Sequence, residues 1–189
     1  MDAQPPRDET ADADADVAGD GGRGGAGAGP GGVEVRWWRS REELEGAFAV
    51  RERVFVHEQG VPAEEELDAL DEQARHVVAL APASSPETGV PDAQRVIGTL
   101  RLLVDGERAK IGRVAVEREW RRRGIAVAML ELAIAQARAE GCLRVRLAAQ
   151  TAASALYERV GFEVESEEFE EAGIAHVWMG MRLGPVSIG

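Results

Sequence analysis

The residues best suited to chemistry form a short basic segment, VAVEREWRRRGIA, at positions 114–126. Three arginines, Arg121 to Arg123, stand directly before Gly124 and an apolar run that predicts a helix. A helix start offers unpaired backbone N–H groups and the positive end of the helix dipole, and glycine lets an anion approach the backbone. The segment therefore predicts a phosphate-binding loop, although these residues alone also suit an arginine-rich helix cap on a solvated edge. It lacks G-x-x-x-x-G-K-[ST] and G-x-G-x-x-G, which argues against nucleoside triphosphate and dinucleotide loops.

Two elements must hold this loop in place. Before it, RVIGTLRLLVDG and ERAKIGRVAV flank Asp105-Gly106, a dipeptide that predicts a two-residue type I′ turn and a long antiparallel hairpin. After it, residues 124–140 are apolar on almost every face, which predicts a helix buried against a sheet and ending at Gly141. We therefore expect the loop between the second hairpin strand and a buried helix.

The rest of the chain alternates strand and helix patterns. Ser40 can cap a helix over residues 41–55, and Gly161 ends a short helix over residues 152–160. The other strand patterns are residues 33–39, 75–81 and 143–150, followed by FEVESEEF and IAHVWMGMRL. A hairpin followed by β-α-β-α-β order predicts an α+β fold with a mixed sheet of about seven strands, because each crossover helix joins roughly parallel strands.

Composition limits the remaining function classes. The chain has 189 residues, which suits one domain, and a formal net charge of -12, which argues against a general nucleic-acid binder. Residues 1–32 are acidic and glycine-rich with almost no large apolar side chain, so we expect a disordered tail, then one domain over 33–183 and a short tail over 184–189. The single cysteine, Cys142, argues against a disulfide framework or a cysteine-cluster zinc site and is expected in the core. With no apolar run long enough for a membrane span and no signal-peptide pattern, we expect a cytoplasmic protein.

Two motifs together resemble the GCN5-related N-acetyltransferase (GNAT) superfamily. The first is R-x-x-G-x-A, here Arg121, Gly124 and Ala126, and the second is A-x-x-L-Y-E-R-V-G-F at residues 153–162. The segments RERVFVHEQGVP and EEAGIAHVWM look like a bacterial branch of that superfamily related to ElaA and YjcF. The resemblance covers about residues 33–183. It implies a mostly antiparallel central sheet flanked by helices, with a V-shaped gap between the fourth and fifth strands.

The resemblance also implies an acyl donor and its contacts. Members bind acetyl-CoA in the gap, with the pantetheine arm along the fourth strand and the pyrophosphate on the R-x-x-G-x-A loop. Gln150 stands at the end of the fifth predicted strand, where the family pattern often has asparagine. No metal is expected. The implied cofactor-binding residues are Val114, Ala115, Val116, Arg121, Arg122, Arg123, Gly124, Ile125, Ala126 and Gln150.

Proton transfer has one main candidate and several weaker ones. Tyr157, the only tyrosine, occupies the position where many GNAT enzymes place the general acid that protonates the leaving CoA thiolate, although packing under the sheet would also explain it. Glu58 is the first choice for a base or a substrate contact, because short apolar segments flank it. In many relatives a fourth-strand glutamate serves as the base, but residues 110–113 here offer no carboxylate, so the identity of the base stays open. The other substrate-side candidates, each also explained by a solvated surface or a structural hydrogen bond, are Asp68, Asp71, His76 and His176.

These features together predict an N-acetyltransferase that passes an acetyl group from acetyl-CoA directly to an amine, expected to be a small molecule. Its partners would be these two substrates, with no nucleic acid and no membrane, and the protein would be a monomer or a homodimer. One alternative is an acyl-homoserine-lactone synthase, which shares the fold but lacks the R-x-x-G-x-A loop. Its amino-terminal pattern resembles Arg51, Val54, Phe55, Glu58, Asp68 and Asp71. The other alternative is a catalytically silent module that senses acetyl-CoA.

Overall fold

The computed structural model describes residues 27–28, 30–66, 68–83 and 92–184. Residues 1–26 of the expected N-terminal tail and residues 185–189 of the expected C-terminal tail lie outside these ranges. Near the end of the N-terminal tail, Gly27–Ala28 forms a two-residue strand, β1, that pairs with the next strand. The disorder of residues 1–32 stays a prediction.

Strands dominate the described residues, and helices connect them on both faces of the sheet. After β1 come β2 (Glu34–Trp37), β3 (Arg75–Ala83), β4 (Asp92–Asp105), β5 (Arg108–Val116), β6 (Arg144–Gln150), β7 (Glu163–Val164), β8 (Phe169–Glu171) and β9 (Ile174–Arg182). The α-helices are α1 (Arg41–Arg51), α2 (Ala63–Glu66), α3 (Ile125–Ala139) and α4 (Ser154–Glu158). A π-helix (Glu52–Glu58) extends α1, and a 3-10 turn (Arg118–Trp120) follows β5.

The described strands form one sheet in the order β1-β2-β3-β4-β5-β6-β9-β7, and β8 also pairs with β9. Every pair is antiparallel except β5 with β6. The mixed, mostly antiparallel α+β fold expected from the sequence is therefore confirmed. The described residues contain nine strands rather than about seven, because FEVESEEF divides into β7 and β8 and because β1 precedes the first expected strand.

The sheet separates two apolar layers. On one face α3 buries Ile125, Met129, Leu130, Ala133 and Ala137, which recur at helical spacing and join the larger core cluster. On the other face, α1 and the π-helix contribute a smaller apolar cluster against β3, β4 and β5. No helix among the residues that the structure describes is both long and apolar enough to cross a membrane.

The β4–β5 hairpin forms as expected, but its turn is shifted by one residue. Asp105 pairs with Arg108, so the two turn residues are Gly106 and Glu107 rather than Asp105 and Gly106. Of these two, Gly106 alone has a positive φ, 54°. The type I′ prediction is therefore wrong: Asp105 stays in the ladder, and glycine at the first turn position takes up the left-handed conformation alone.

The first helix begins where expected and changes its winding before it ends. Ser40 caps it, accepting a hydrogen bond from the Glu43 amide at 3.4 Å. Regular α-helix stops at Arg51, and the chain continues as a π-helix to Glu58, three residues beyond the expected end. π-helical segments are rare and often lie at functional sites. Here the segment carries Glu58 and Gln59 towards the gap between β5 and β6.

Candidate active site

The candidate site lies where β5 and β6 diverge. The two strands pair in parallel only from Arg108–Arg144 to Lys110–Arg146. Beyond that point the described residues show no further β5–β6 pairing, which leaves backbone groups on the gap side of β5 without a strand partner. A cavity of about 1080 Å³ fills the gap. This is the V-shaped opening that the resemblance implied between the fourth and fifth expected strands.

A bulge in β5 accounts for the divergence. The β4–β5 register passes from Thr99 opposite Ala115 to Arg101 opposite Gly112, so β5 carries one extra residue. Arg113 has a φ of 53° at this point. A bulge bends its strand and shifts the alternation of side chains, so β5 turns away from β6 beyond the bulge. Arg113 then reaches the carbonyl oxygens of Glu65 and Glu66, at 2.8 and 3.0 Å.

The expected anion-binding loop has the geometry that this role requires. Gly124 is the N-cap of α3 with a φ of 80°, a left-handed conformation that suits glycine. No side chain caps the start of this 15-residue helix, so its first amides are free to bind an anion. Arg122, Gly124, Ile125 and Ala126 line the cavity. The arginine-rich segment therefore borders a cavity, rather than only a solvated edge.

Two consecutive residues at the end of the π-helix contact both sides of the gap. Glu58 Oε2 lies 2.7 Å from Arg121 Nη2, and Arg121 Nε also donates to the carbonyl oxygen of Val116 at 2.8 Å. The Gln150 amide group donates to Gln59 Oε1 at 2.7 Å. Gln59, Gln150 and Arg121 line the cavity, whereas Glu58 is not among its lining residues. Glu58 is thus the partner of an arginine in the segment that precedes α3, and Gln150 is hydrogen-bonded to Gln59.

Tyr157 lies in α4 with its ring packed edge-on against Phe162 at a centroid distance of 6.3 Å. Only 7% of the residue is exposed, yet it lines the cavity. Burial raises the pKa of the Tyr157 phenol to about 12. The hydroxyl is therefore protonated at neutral pH and can donate a proton or a hydrogen bond into the gap.

Three of the substrate-side candidates belong to a buried ionic network rather than to the cavity wall. Arg51 is fully buried and pairs with Glu66 at 2.5 Å and with Asp71 at 2.7 Å, while Arg101 contacts both Asp68 and Asp71. Burial by itself would raise the pKa of Asp71, but the Arg51 guanidinium holds it below its usual range. This network ties the segment around α2 to the sheet.

His76 lies within the same network. It is buried, its Nε2 lies 3.0 Å from the carbonyl oxygen of Asp71, and burial lowers its pKa. None of Asp68, Asp71 and His76 is among the residues that line the cavity. Asp71 and His76 are buried, and Asp68 lies at the exposed edge of the network, held by Arg101. The described geometry therefore gives all three a structural role.

Of the cavity residues on and near β9, His176 was expected on the substrate side, whereas Phe169, Trp178 and Lys110 carried no motif and were missed by sequence reasoning. Phe169 stacks on both His176 and Trp178, with centroid distances of 5.9 and 5.7 Å. Lys110 and Arg146 lie over the Trp178 ring at 5.4 and 4.8 Å. His176 and Trp178 are two residues apart in β9, a spacing that places both on one face of a strand and could have indicated that Trp178 lies beside His176 in the cavity wall. Phe169, His176, Trp178 and Lys110 all line the cavity.

This chain is similar in sequence and in structure to known proteins. The family model described as the acetyltransferase (GNAT) domain matches residues 88–183. YjcF of Bacillus subtilis (strain 168), an uncharacterized N-acetyltransferase, is 37% identical over 145 residues, covering 75% of this chain and 94% of YjcF. An acyl-CoA N-acyltransferase structure from Pseudomonas aeruginosa has 27% identity and a TM-score of 0.60, covering 78% of this chain and 97% of that one. The structure of Escherichia coli ElaA has 23% sequence identity and a TM-score of 0.62, covering 77% of this chain and 98% of ElaA. At this identity the similarity concerns the fold alone.

Proposed function

The chain belongs to the GNAT family of acetyltransferases, and we propose that it transfers an acetyl group from acetyl-CoA directly to the amine of a small molecule. The observation that carries this proposal is the joining of two features in one cavity. The diverging β5 and β6 provide a slot for an extended chain, and the uncapped start of α3 provides a site for an anion. A pantetheine arm attached to a pyrophosphate has both properties.

The donor would bind largely through backbone groups. Beyond Lys110 the gap-side edge of β5 offers N–H and C=O groups without a strand partner, with which a pantetheine arm can pair as an added strand does. Val114 to Val116 form this edge, and the pyrophosphate would lie over the amides of Arg123 to Ala126, where the helix dipole favours negative charge. Gln150, held by Gln59, would contact the arm from the β6 side.

The Glu58–Arg121 ion pair suggests how the phosphate loop is held before the donor arrives. Arg121 is fixed by Glu58 and by the carbonyl oxygen of Val116, so its guanidinium is already oriented beside the loop. An oriented charge loses less side-chain freedom when it binds an anion. We therefore propose Glu58 as a residue that positions Arg121.

Acyl transfer would proceed without an acetyl-enzyme intermediate. An amine attacks a thioester directly once it is deprotonated, and a backbone N–H near Val114 would polarise the carbonyl. Tyr157, a cavity residue whose phenol is protonated at neutral pH, would protonate the departing CoA thiolate. Cys142, the only thiol of the chain, is buried, is not among the cavity residues and has a raised pKa because of burial, so it is a poor nucleophile.

The intact phosphate loop favours this function over the acyl-homoserine-lactone synthase alternative, whose members lack that loop. A silent module that binds acetyl-CoA is separated from an enzyme by turnover alone. Release of CoA thiol from acetyl-CoA, followed while primary amines are added, distinguishes the two.

The binding half of the proposal is tested with two glycines at opposite ends of α3. Gly124 and Gly141 both have a φ of 80°, so alanine strains the backbone to a similar extent at either position. Gly124→Ala is expected to weaken acetyl-CoA binding by about tenfold or more, or ~1.4 kcal/mol, because the anion must approach the backbone there. Gly141→Ala is the matched control and should bind normally. Equal acetyl-CoA affinity of all three proteins in calorimetry would contradict the proposed loop.

A further inference from the structure

We propose that His176 is the general base, its Nε2 taking a proton from the acceptor ammonium before the amine attacks. This inference rests on the proposed acetyl transfer and assigns its general base to His176 instead of Glu58, the first choice from the sequence. It concerns the acceptor amine, so measurements of acetyl-CoA binding and measurements of kcat test the donor site and the base independently.

The position of His176 places it on the acceptor side of the gap. It lies in β9 directly opposite Gln150, the last residue of β6, and lines the same cavity as Tyr157. The neighbouring wall residue in β9 is Trp178, opposite Ala148. A base at this place can contact an amine that lies against the stacked rings of Phe169 and Trp178. Tyr157 lies on another element of the cavity, α4, which follows β6.

The hydrogen bonding of the His176 ring leaves the correct nitrogen available. Nδ1 lies 2.8 Å from the carbonyl oxygen of Ile174. A carbonyl oxygen only accepts, so Nδ1 must carry the proton, and in the neutral ring Nε2 then carries the lone pair. No hydrogen bond from Nε2 to another described residue is present. Stacking on Phe169, with an interplanar angle of 27°, holds the ring in place. A backbone carbonyl that fixes the tautomer is a common way to prepare an imidazole as a base.

The other titratable groups near the gap are less suitable. Glu58 is paired with Arg121, and Glu66 is buried and paired with Arg51. Three further carboxylates line the cavity but are solvent-exposed: Glu65, Glu170 and Glu171. Histidine is the side chain that most often acts as a general base in enzymes.

The remaining two of the three histidines lie elsewhere. His57 is exposed and not among the cavity residues, and His76 is buried with its Nε2 directed to the carbonyl oxygen of Asp71. His176 is therefore the only histidine of the chain that lines the cavity. This makes His57 a natural control for substitution of a histidine as such.

In this scheme His176 and Tyr157 handle separate protons. Nε2 of His176 takes one proton from the acceptor ammonium, and the freed nitrogen lone pair forms a bond to the thioester carbonyl carbon. The carbon–sulfur bond then breaks, and the CoA thiolate takes the proton of the Tyr157 hydroxyl. The extra proton on the new amide nitrogen returns to the Tyr157 phenolate. His176 releases its proton to solvent, so one proton leaves for each acetyl group transferred.

The kinetic test compares His176→Gln with His57→Gln in the full chain. The probes are acetyl-CoA with 2-phenylethylamine, spermidine or phenylalanine amide, and the readout is CoA thiol release. Loss of a general base costs about 10²- to 10⁴-fold in kcat. We expect His176→Gln to show such a loss with unchanged acetyl-CoA affinity and melting temperature, and His57→Gln to show none. In His176→Ala, added imidazole is expected to restore part of kcat, which a purely structural role would not predict.

A second measurement needs no acceptor. Proton–nitrogen correlation spectra of the histidine rings are expected to show His176 with its proton on Nδ1 when the ring is neutral. A proton on Nε2, or a His176→Gln variant with unaltered kcat, would overturn the inference. Equal loss of acetyl-CoA affinity and kcat would overturn it as well, by showing a structural role. Wild-type protein that binds acetyl-CoA but acetylates none of the three amines would also overturn it, whereas failure to bind acetyl-CoA would refute the proposed function itself.

Discussion

The burial of Tyr157 makes a prediction that one optical titration can check. The chain has a single tyrosine, so the near-ultraviolet absorbance of phenolate reports this residue alone. Burial raises the pKa of Tyr157 from 10.0 to about 12. In the folded protein the phenolate signal is therefore expected to develop near pH 12, and in the denatured chain near pH 10.

The raised pKa of Tyr157 also makes the free energy of unfolding depend on pH, and the direction of the pKa shift determines whether stability rises or falls. A folded-state pKa above the unfolded value means that the unfolded state loses its proton first as the pH rises. The contribution of Tyr157 is therefore complete below about pH 10 and is lost between about pH 10 and 12. Two pKa units at 1.36 kcal/mol each give roughly 3 kcal/mol as the size of this loss.

Tyr157→Phe is the control for both measurements. The phenol makes no hydrogen bond to the described residues, so the substitution should change stability little at neutral pH while removing the phenolate signal and its alkaline contribution to unfolding. Urea denaturation between pH 8 and pH 12, values that bracket the expected loss, measures this difference. A native titration midpoint near pH 10 would refute the reasoning, because it would mean that water reaches the phenol freely.

The titration also bears on catalysis. A phenol that remains protonated at working pH can serve as an acid, and the reference pKa values of a phenol and a thiol differ by only ~1.5 units, or about 2 kcal/mol. Burial in the same cavity disfavours the thiolate as it disfavours the phenolate, so this difference is not enlarged. Tyr157→Phe is therefore expected to lower kcat by about 10²-fold or more with acetyl-CoA affinity nearly unchanged.

Substitutions at three buried residues and one open glycine have further expected outcomes. Cys142→Ala should leave kcat almost intact, and an acetylated Cys142 detected by mass spectrometry would contradict direct transfer. Arg51→Ala should cost about 3 to 5 kcal/mol in urea denaturation, because two buried carboxylates lose their partner. Since Arg51 lowers the folded pKa of Asp71, the associated stability should be present above about pH 4 and lost as the pH falls further, and Asp71→Asn should remove that dependence. Gly112→Leu should weaken substrate binding and raise KM, because nothing lies within 4 Å of a Cβ placed there and Gly112 lines the cavity.

The loop before α3 could be recognised from sequence because its features are local. An anion site at a helix start needs consecutive free amides and a glycine, and RRRGIA supplies them within six residues. The β4–β5 hairpin and α3 are local in the same sense, since turn residues and apolar spacing specify them. Even there, the one-residue shift of the turn depended on which residues of β4 and β5 paired with each other.

The fate of the charged candidates depended on the tertiary structure. Glu58 and Arg121 are 63 positions apart, and Arg51 meets Asp71 across 20 positions, so no local pattern indicated either pair. The sequence by itself determined that a strand hairpin, an arginine- and glycine-rich loop and a buried helix would form in this order. Only the folded chain decided which carboxylates would be neutralised by arginines and which imidazole would face the cavity with a free nitrogen. The physical reason is that the energy of a charge depends on its distance from other charges and on its exposure to water, and both are properties of the packed structure.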